Sequence, residues 1–182
     1  ASVFYPKAKI FYTPNGYSFI REDISDLKKT LFKFIEKICT LLFGEVTIAC
    51  GDQEYDEASK MGKAVLIRNG VFIDDILKLK TDNINQKLTI GTSGRISIQK
   101  NPKVFNEIAL KLPNYQFVWI GEGELKNVLT SKNIVITGWK KGEEAIKAVS
   151  KLDVFISTSL WEGLPFNIIE AMALSKPIIT SN

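Results

Sequence analysis

The sequence predicts an α/β protein made of Rossmann-like parallel sheets with helices on both faces. Two observations predict this fold class. Short apolar runs alternate with longer amphipathic segments along the chain, which is the order of βαβ units. Several runs, such as residues 117–120 and 154–157, are continuously apolar or nearly so, as expected of parallel strands that are covered on both sides.

Local signals place the elements of the first half. Residues 9–13 are strand-like and end in the turn Pro14-Asn15-Gly16. Ser25 stands where a helix N-cap belongs, and Gly44 is a residue that ends helices. Between them, the apolar residues at helical spacing are Leu27, Leu31, Ile35, Ile38 and Leu42. The next predicted elements are a strand at 46–49, a helix at 53–60 and a strand at 64–67.

The polar segment 81–86 is the predicted linker between a first domain at 1–80 and a second at 87–182. The second domain has predicted strands at 88–92, 116–120, 134–137, 154–157 and 177–180, with helices at 104–112, 124–129, 143–152 and 167–174. Because the series stops just after a strand, we expect this domain to be incomplete at its end and the chain to be a fragment.

Composition narrows the possible functions. The chain has 182 residues, 45% of them hydrophobic, and a net charge of +4, which indicates a globular protein and gives no reason to expect a nucleic-acid partner. Cys39 and Cys50 make no disulfide framework, so a cytoplasmic location fits best. The chain has no histidine, which excludes Ser-His-Asp chemistry and histidine metal sites within it.

Ligands of open parallel sheets bind beyond the carboxyl ends of the strands, so the loops there are the candidate sites. In the first loop, Gly94 allows close approach while Arg95 and Lys100 suit a diphosphate, although taken alone it reads as a solvated loop. The second, residues 121–124, is better explained as a plain tight turn. In the third, Gly138 and Trp139 form either a wall for a base or a surface turn with a packing tryptophan.

The fourth loop carries the strongest signal. A strand ending near Ser157 is followed by a glycine- and proline-containing loop and by a helix that starts between Pro165 and Asn167. The free amides and the dipole of a helix N-terminus favour anions. Glu162 precedes this start and Glu170 lies one to two turns inside the helix. Carboxylates accept hydrogen bonds from vicinal hydroxyls, so this pair suits a sugar and a ribose on either side of phosphates.

The same segment, E-G-L-P-F-N-I-I-E-A-M-A, resembles the E-x7-E donor-site signature of the family 4 retaining glycosyltransferases, which have the GT-B fold. G-R-I-S-I-Q-K-N, V-W-I-G-E-G-E and N-I-V-I-T-G-W resemble the family's weaker motifs, in order. T-P-N-G-Y-S-F resembles the end of its acceptor-side domain, particularly in capsule, exopolysaccharide and lipopolysaccharide enzymes. The resemblance covers essentially the whole chain, and it implies a GT-B-type fold with donor binding in residues 87–182.

The resemblance implies a hexosyltransferase that takes a sugar, with retention, from a nucleotide-sugar donor, by analogy a UDP-sugar. The implied acceptor is a growing surface polysaccharide or a lipid-linked saccharide. Such enzymes usually need no metal, and no cofactor besides the donor substrate is implied. The helix at 27–43 could contact a membrane peripherally, although a core-packed helix with a solvated face is the interpretation that we favour.

The resemblance also assigns roles. Arg95 and Lys100 would neutralise the donor diphosphate as it departs, and Glu162 would contact the transferred sugar. Glu170 would hold the ribose hydroxyls. The other implied donor-binding residues are Gly94, Gly138, Trp139, Gly163, Leu164, Pro165 and Phe166. The implied acceptor-side residues are Asn15 and Gly16.

One departure from the family pattern motivates an alternative. Asn15 stands where the family often has histidine, and asparagine cannot exchange a proton near neutral pH. The alternative is a non-catalytic nucleotide-sugar-binding or assembly module, and we expect a fragment alone to be inactive. A dinucleotide-dependent oxidoreductase is less favoured, because it needs G-x-G-x-x-G after the first strand and an acidic residue farther on.

Overall fold

The computed structural model describes residues 8–81 and 87–181. They form two compact units. Unit 1 contains residues 8–69 and 161–164, and unit 2 contains the other described residues. Both units have parallel strands connected through helices, which confirms the predicted fold class.

Unit 1 is built on a three-stranded parallel sheet in which the second strand is central. Its elements are β1 (Phe11–Tyr12), α1 (Asp26–Phe43), β2 (Val46–Ala49), α2 (Asp52–Met61) and β3 (Lys63–Leu66). Phe11 pairs with Val46, and Val46 pairs with Lys63, so all three strands run in one direction. Their carboxyl ends, where ligands bind in such sheets, therefore lie at one edge.

The ends of α1 follow the sequence signals. The helix starts directly after Ser25, although the Ser25 side chain makes no capping hydrogen bond. It stops at Gly44, whose φ of 56° is left-handed and whose N–H donates to the Thr40 carbonyl. Glycine adopts this conformation without the penalty that a Cβ atom brings, which is why it ends the helix there.

The apolar stripe of α1 is not buried within the described residues, and the core-packed interpretation is wrong for them. The five predicted positions are exposed, from 37% at Ile38 to 81% at Leu27. The helix instead turns Phe32, Glu36 and Thr40 inward. Glu36 accepts a 3.2 Å hydrogen bond from the Tyr12 hydroxyl, and burial raises the pKa of Tyr12. Such polar hydrogen bonds determine which side of the helix faces the interior, and the spacing of apolar residues alone does not predict that side.

Unit 2 is built on a five-stranded parallel sheet in the order β6-β5-β4-β7-β8. The elements are α3 (Ile73–Lys78), β4 (Thr89–Ser93), α4 (Pro102–Lys111), β5 (Gln116–Ile120), β6 (Ile134–Ile136), α5 (Glu143–Ser150), β7 (Val154–Ser157), α6 (Phe166–Ala173) and β8 (Ile178–Thr180). The chain builds outward from β4 in one direction and then returns to its other side at β7. This reversal makes β4 and β7 the topological switch point, where ligands of open sheets bind.

Two apolar clusters cover the two faces of this sheet. One contains Ile76 of α3, Ile146 of α5 and Ala171 of α6. The other contains Phe105 of α4 and Trp119 of β5, whose rings meet edge to face at 4.9 Å between centroids. Helices therefore lie on both faces, as predicted, and the site at the strand ends rests on a packed core.

One element of unit 2 differs from the prediction. The segment 124–129 forms only a short 3-10 helix, Lys126–Val128, because Leu125 and Leu129 both reach the core through this tighter turn. Helix α3 packs on α6 and belongs to unit 2, whose first residue is Gly70. The division into a first domain at 1–80 and a second at 87–182 stays a prediction. The predicted linker lies outside the described residues, apart from Thr81.

Candidate functional site

The loop after β4 holds the first group of predicted residues in unit 2. Gly94 has a φ of 134°, and a Cβ atom built there would lie 3.3 Å from Cε of Lys100. The Lys100 side chain therefore lies over the Gly94 backbone, while Arg95 is exposed. The structure brings Gly94 and Lys100 together and leaves the Arg95 guanidinium accessible to solvent. Two cations beside an exposed backbone are suited to binding a diphosphate.

The loop after β4 packs against the end of β5 and the glycine turn that follows it. The indole N–H of Trp119 donates to the Gly94 carbonyl at 2.9 Å. A Cβ atom on Gly121, whose φ is 151°, would overlap the same carbonyl oxygen. Glu122 pairs with Lys126 at 3.0 Å. The turn at 121–124 is therefore a packing turn, in agreement with the plainer of its two interpretations, and Trp119 is a supporting residue that the motifs did not reveal.

Gly138 and Trp139 follow β6 at the same edge of the sheet. Gly138 has a φ of 74°, which favours glycine, and Trp139 is 56% exposed. A tryptophan this exposed contributes little to packing within the described residues, and its role as the wall of a base pocket stays a prediction. Glu122 Oε2 lies 3.9 Å from the position of a Cβ atom on Gly138, so the loops after β5 and β6 are neighbours.

Helix α6 starts beside the loop after β4. The Asn167 side-chain amide donates to the Ser93 carbonyl at 2.6 Å, and the Thr158 hydroxyl donates to the Lys100 carbonyl at 2.8 Å. Pro165 stands at the N-cap and Phe166 begins the helix. The first amides of a helix lack intrahelical acceptors, so those at the start of α6 are available to a ligand. Asn167 was absent from the predicted site, and its polar character at a helix start was the available signal.

Glu170 lies on the second turn of α6 and is partly buried. Burial raises the pKa of its carboxyl group, since desolvation penalises the charged form. A partly buried carboxyl group at this position can accept hydrogen bonds from hydroxyl groups.

The segment Trp161–Leu164 belongs to unit 1 and is held there by residues that sequence reasoning missed. The Asn69 side-chain amide donates to the Leu164 carbonyl at 2.7 Å. A Cβ atom on Gly163 would lie 3.4 Å from the Cys50 sulfur, so this contact leaves little room for a larger residue. Burial raises the pKa of the Cys50 thiol, although the Leu164 backbone N–H is hydrogen-bonded to it. Glu162, in the same segment, is partly exposed.

Asn15 and Gly16 lie after β1, in the same unit, and both are exposed. Both have positive φ, 51° for Asn15 and 99° for Gly16. The Gly16 N–H donates to Oε1 of Glu54 at 2.6 Å. Glu54 was not predicted either, because acidic residues in the first turn of a helix are ordinarily explained by the helix dipole.

Two further properties concern metals and membranes. Within residues 8–81 and 87–181, no three Cys, Asp or Glu side chains are grouped closely enough to hold a metal ion. The described helices include none that is both long and apolar enough to cross a bilayer.

Comparison with known proteins adds to this geometry. The family profile described as "Glycosyl transferases group 1" matches residues 73–182. The chain is 30% identical over 203 aligned positions to UDP-Gal:alpha-D-GlcNAc-diphosphoundecaprenol alpha-1,3-galactosyltransferase of Escherichia coli, covering 95% of this chain and 51% of that protein. It is 33% identical over 101 positions to an uncharacterised glycosyltransferase of Methanocaldococcus jannaschii, covering 49% of this chain and 24% of that protein.

Among solved structures, the chain is similar to Anabaena HepE in complex with UDP-glucose. The TM-score is 0.77 at 18% identity, and the match covers 98% of this chain and 55% of that one. At this identity the likeness shows the fold, which agrees with the predicted GT-B type. Both matches cover almost all of this chain, which thus spans about half the length of these two relatives.

Proposed function

The chain belongs to the group 1 glycosyl transferases, and from this premise we propose that the protein transfers a hexose from a UDP-sugar to a growing surface polysaccharide or lipid-linked saccharide, with retention. The observation that carries the proposal is in unit 2, where the start of α6 is fixed by Asn167 beside the loop of Gly94 and Lys100. The names of the relatives support the donor class, since one is named for UDP-Gal and one structure holds UDP-glucose.

In the proposed reaction, the bond between the sugar C1 and the diphosphate oxygen breaks and the acceptor oxygen forms a bond to C1. The diphosphate departs with the electron pair, and Arg95 and Lys100 neutralise its charge together with the amides at the start of α6. In this proposal the acceptor proton goes to a carboxylate or to the departing diphosphate. Metal-independent transfer without a cofactor is part of the proposal.

The other roles follow the positions of the residues. Glu170 would accept hydrogen bonds from the ribose hydroxyls, and the exposed Trp139 beside Gly138 would lie against the base. Glu162 would contact the transferred sugar. Backbone amides of Gly163, Leu164, Pro165 and Phe166 would bind the sugar and the distal phosphate. Asn15 and Gly16 would lie on the acceptor side.

A calorimetric titration of the full-length protein with UDP, GDP, ADP and NAD tests donor recognition. We expect saturable binding of UDP, weakened about tenfold or more by Arg95→Ala and by Glu170→Ala, since each removes a charge-assisted contact. Lys111→Ala, at the far end of α4, is the matched control and should leave binding unchanged. Binding of NAD alone would exclude the glycosyltransferase proposal.

Transfer itself is tested by UDP release from UDP-galactose with a GlcNAc-diphospholipid acceptor, the substrate pair for which the Escherichia coli relative is named. Formation of product would support the proposal that the protein is an enzyme. Binding of UDP without release from this or other UDP-sugars would favour the alternative, a non-catalytic nucleotide-sugar-binding or assembly module, which the exposed Asn15 in place of histidine motivates.

A cytoplasmic location with peripheral membrane contact completes the proposal. Both cysteines are free, and the apolar stripe of α1 is exposed with Lys28 and Lys37 on other faces. Such a helix can lie on an anionic surface. We expect the full-length protein to sediment with phosphatidylglycerol-containing vesicles, and Leu31→Glu with Leu42→Glu to abolish this without unfolding the protein. Unfolding of that variant would instead show that protein covers the stripe.

A further inference from the structure

Glu54 is a buried acid that no step of the proposed reaction uses. It lies in the first turn of α2 with 2% of its surface exposed. Oε1 accepts a hydrogen bond from the Gly16 N–H at 2.6 Å, and Oε2 accepts one from the Cys50 N–H at 2.7 Å. The Cys50 thiol is also hydrogen-bonded to Glu54. Burying a carboxyl group is costly unless it is well hydrogen-bonded, so these bonds are the reason that the fold can accommodate it.

The first bond fixes the loop after β1. Asn15 and Gly16 both have left-handed φ values, and both are exposed. Asparagine and glycine are the residues that most readily adopt this conformation, so the sequence permits the turn, but an exposed turn alone does not fix its position against α2. The bond from Gly16 to Glu54 joins residues 38 positions apart and holds the loop against α2. It therefore sets where the Asn15 side chain can point.

The second bond fixes the turn after β2, on which the segment Trp161–Leu164 rests. The Cys50 sulfur lies next to Gly163 and is hydrogen-bonded to the Leu164 N–H. A Cβ atom on Gly51 would lie 3.5 Å from the Gly163 carbonyl carbon. Any shift of the Cys50–Gly51 turn would therefore move Gly163. One carboxyl group thus anchors both candidate loops of unit 1, the acceptor-side loop and the sugar-contacting loop.

We propose that Glu54 is a positioning residue for sugar transfer. It fixes the position of the Asn15–Gly16 loop and, at the same time, that of the Cys50–Gly51 turn on which the Glu162–Gly163 segment packs. The inference rests on the proposed function. Glu54 itself touches no substrate. Replacing Glu54 should therefore change the rate of sugar transfer to the acceptor. It should not change UDP affinity, because the proposed UDP-binding residues lie in unit 2.

The test compares Glu54→Gln with Glu57→Gln in the full-length protein. Glutamine keeps the size of the side chain but presents an NH2 group to one of the two backbone N–H donors, so one bond is lost. Glu57 lies one turn farther along α2 and loses its ion pairs with Lys33 and Lys60 on the same substitution, away from both loops. It is the matched control for general loosening of α2.

We expect Glu54→Gln to lower kcat for UDP release from UDP-galactose about 10- to 100-fold, the size of effect that a misplacement near 1 Å produces. The Kd for UDP should stay within about twofold, and Glu57→Gln should keep the wild-type kcat. In amide hydrogen exchange, one of the two amides that Glu54 accepts from, Gly16 or Cys50, should lose protection in Glu54→Gln and neither should in Glu57→Gln. If Glu54→Gln prevents folding, Glu54→Asp is used instead, because aspartate is too short to reach both amides. We expect it to lower kcat relative to Glu57→Gln in the same way.

The outcomes separate the two proposals. If the wild-type protein neither binds UDP nor releases it from a UDP-sugar, the proposed function fails and the role of Glu54 fails with it. If the wild type is active and both variants retain its kcat, or lose it equally, the function stands and the inference about Glu54 is overturned. A loss of thermal stability in Glu54→Gln without a loss of kcat also overturns it, since that describes a purely structural residue.

Discussion

Two amphipathic helices of this protein, α1 in unit 1 and α4 in unit 2, differ in what covers their apolar faces. In α4, Phe105 and Ala109 are fully buried among Phe117 and Trp119. In α1, by contrast, the apolar stripe is exposed, and the only buried residue is Thr40. The same helical periodicity therefore predicts a helix in both places but predicts burial only where another element of the described chain supplies the opposite surface.

The largest expected difference between the two helices is in stability. Phe105→Ala should lower the free energy of unfolding by about 3–5 kcal/mol, because it leaves a cavity against two aromatic rings. Leu31→Ala on the exposed stripe should change it by about 0.5 kcal/mol or less. Urea denaturation of both variants checks the comparison. Comparable losses would show that α1 is covered in the whole protein.

The second prediction concerns the support of the donor loop in unit 2. Gly121→Ala places a Cβ atom onto the Gly94 carbonyl oxygen at a φ of 151°. Overpacking and backbone strain together should cost about 2–4 kcal/mol, and UDP binding should fall as Gly94 is displaced. Gly142→Ala is a control with positive φ and open space around it. Thermal unfolding and calorimetry measure the two effects, and unchanged UDP binding in a folded Gly121→Ala protein would contradict the role of Gly94.

The third prediction separates positioning from stability within unit 2. Asn167→Ala removes the hydrogen bond to the Ser93 carbonyl and should cost about 1 kcal/mol of stability. Because the start of α6 then loses its tie to the Gly94 loop, UDP affinity should fall about tenfold. Asn106→Ala breaks bonds to Thr130 and Ser131 away from the strand ends and should destabilise the fold while sparing UDP binding. Equal UDP affinities for the two variants would refute the role of Asn167.

The smallest effect concerns pH. Since burial raises the pKa of Glu170, the folded state disfavours its ionised form. Above that raised pKa the ionised carboxyl group destabilises the fold, and this penalty disappears as the pH falls below the ordinary glutamate range. Glu170→Gln should therefore raise stability near neutral pH and lose this advantage in acid, while UDP binding weakens. Thermal unfolding across pH tests this, with Glu143→Gln, at the exposed start of α5, as the control variant.

Local patterns predicted most of the fold. Continuous apolar runs placed β2, β5 and β7 at their observed ends, and Gly44 marked the end of α1, because these signals depend on backbone and burial preferences over a few residues. The segment 124–129 was assigned as an α-helix, and it forms a shorter 3-10 turn because two core contacts bring it close to the sheet.

Local patterns likewise predicted some of the candidate site residues and missed others. Glycines and cations in the loops after strands could be predicted, because open parallel sheets place ligands at those positions. The supporting residues Trp119, Asn167 and Glu54 could not, because their hydrogen bonds join positions 25, 74 and 38 residues apart along the chain. Each of them looks ordinary in its own segment: an apolar strand residue, a polar helix start and an acid in a first helical turn.

What the sequence by itself determined is the succession of strands and helices, the family, and the chemical types of residue at the strand ends. The tertiary structure alone decided which face of α1 turns inward, which glycines support Gly94, and that one carboxyl group anchors two loops of unit 1. The physical reason is range. Periodicity, capping and turn preferences act over a few residues, whereas burial and hydrogen bonding of Glu54 and Trp119 arise only when distant segments pack together.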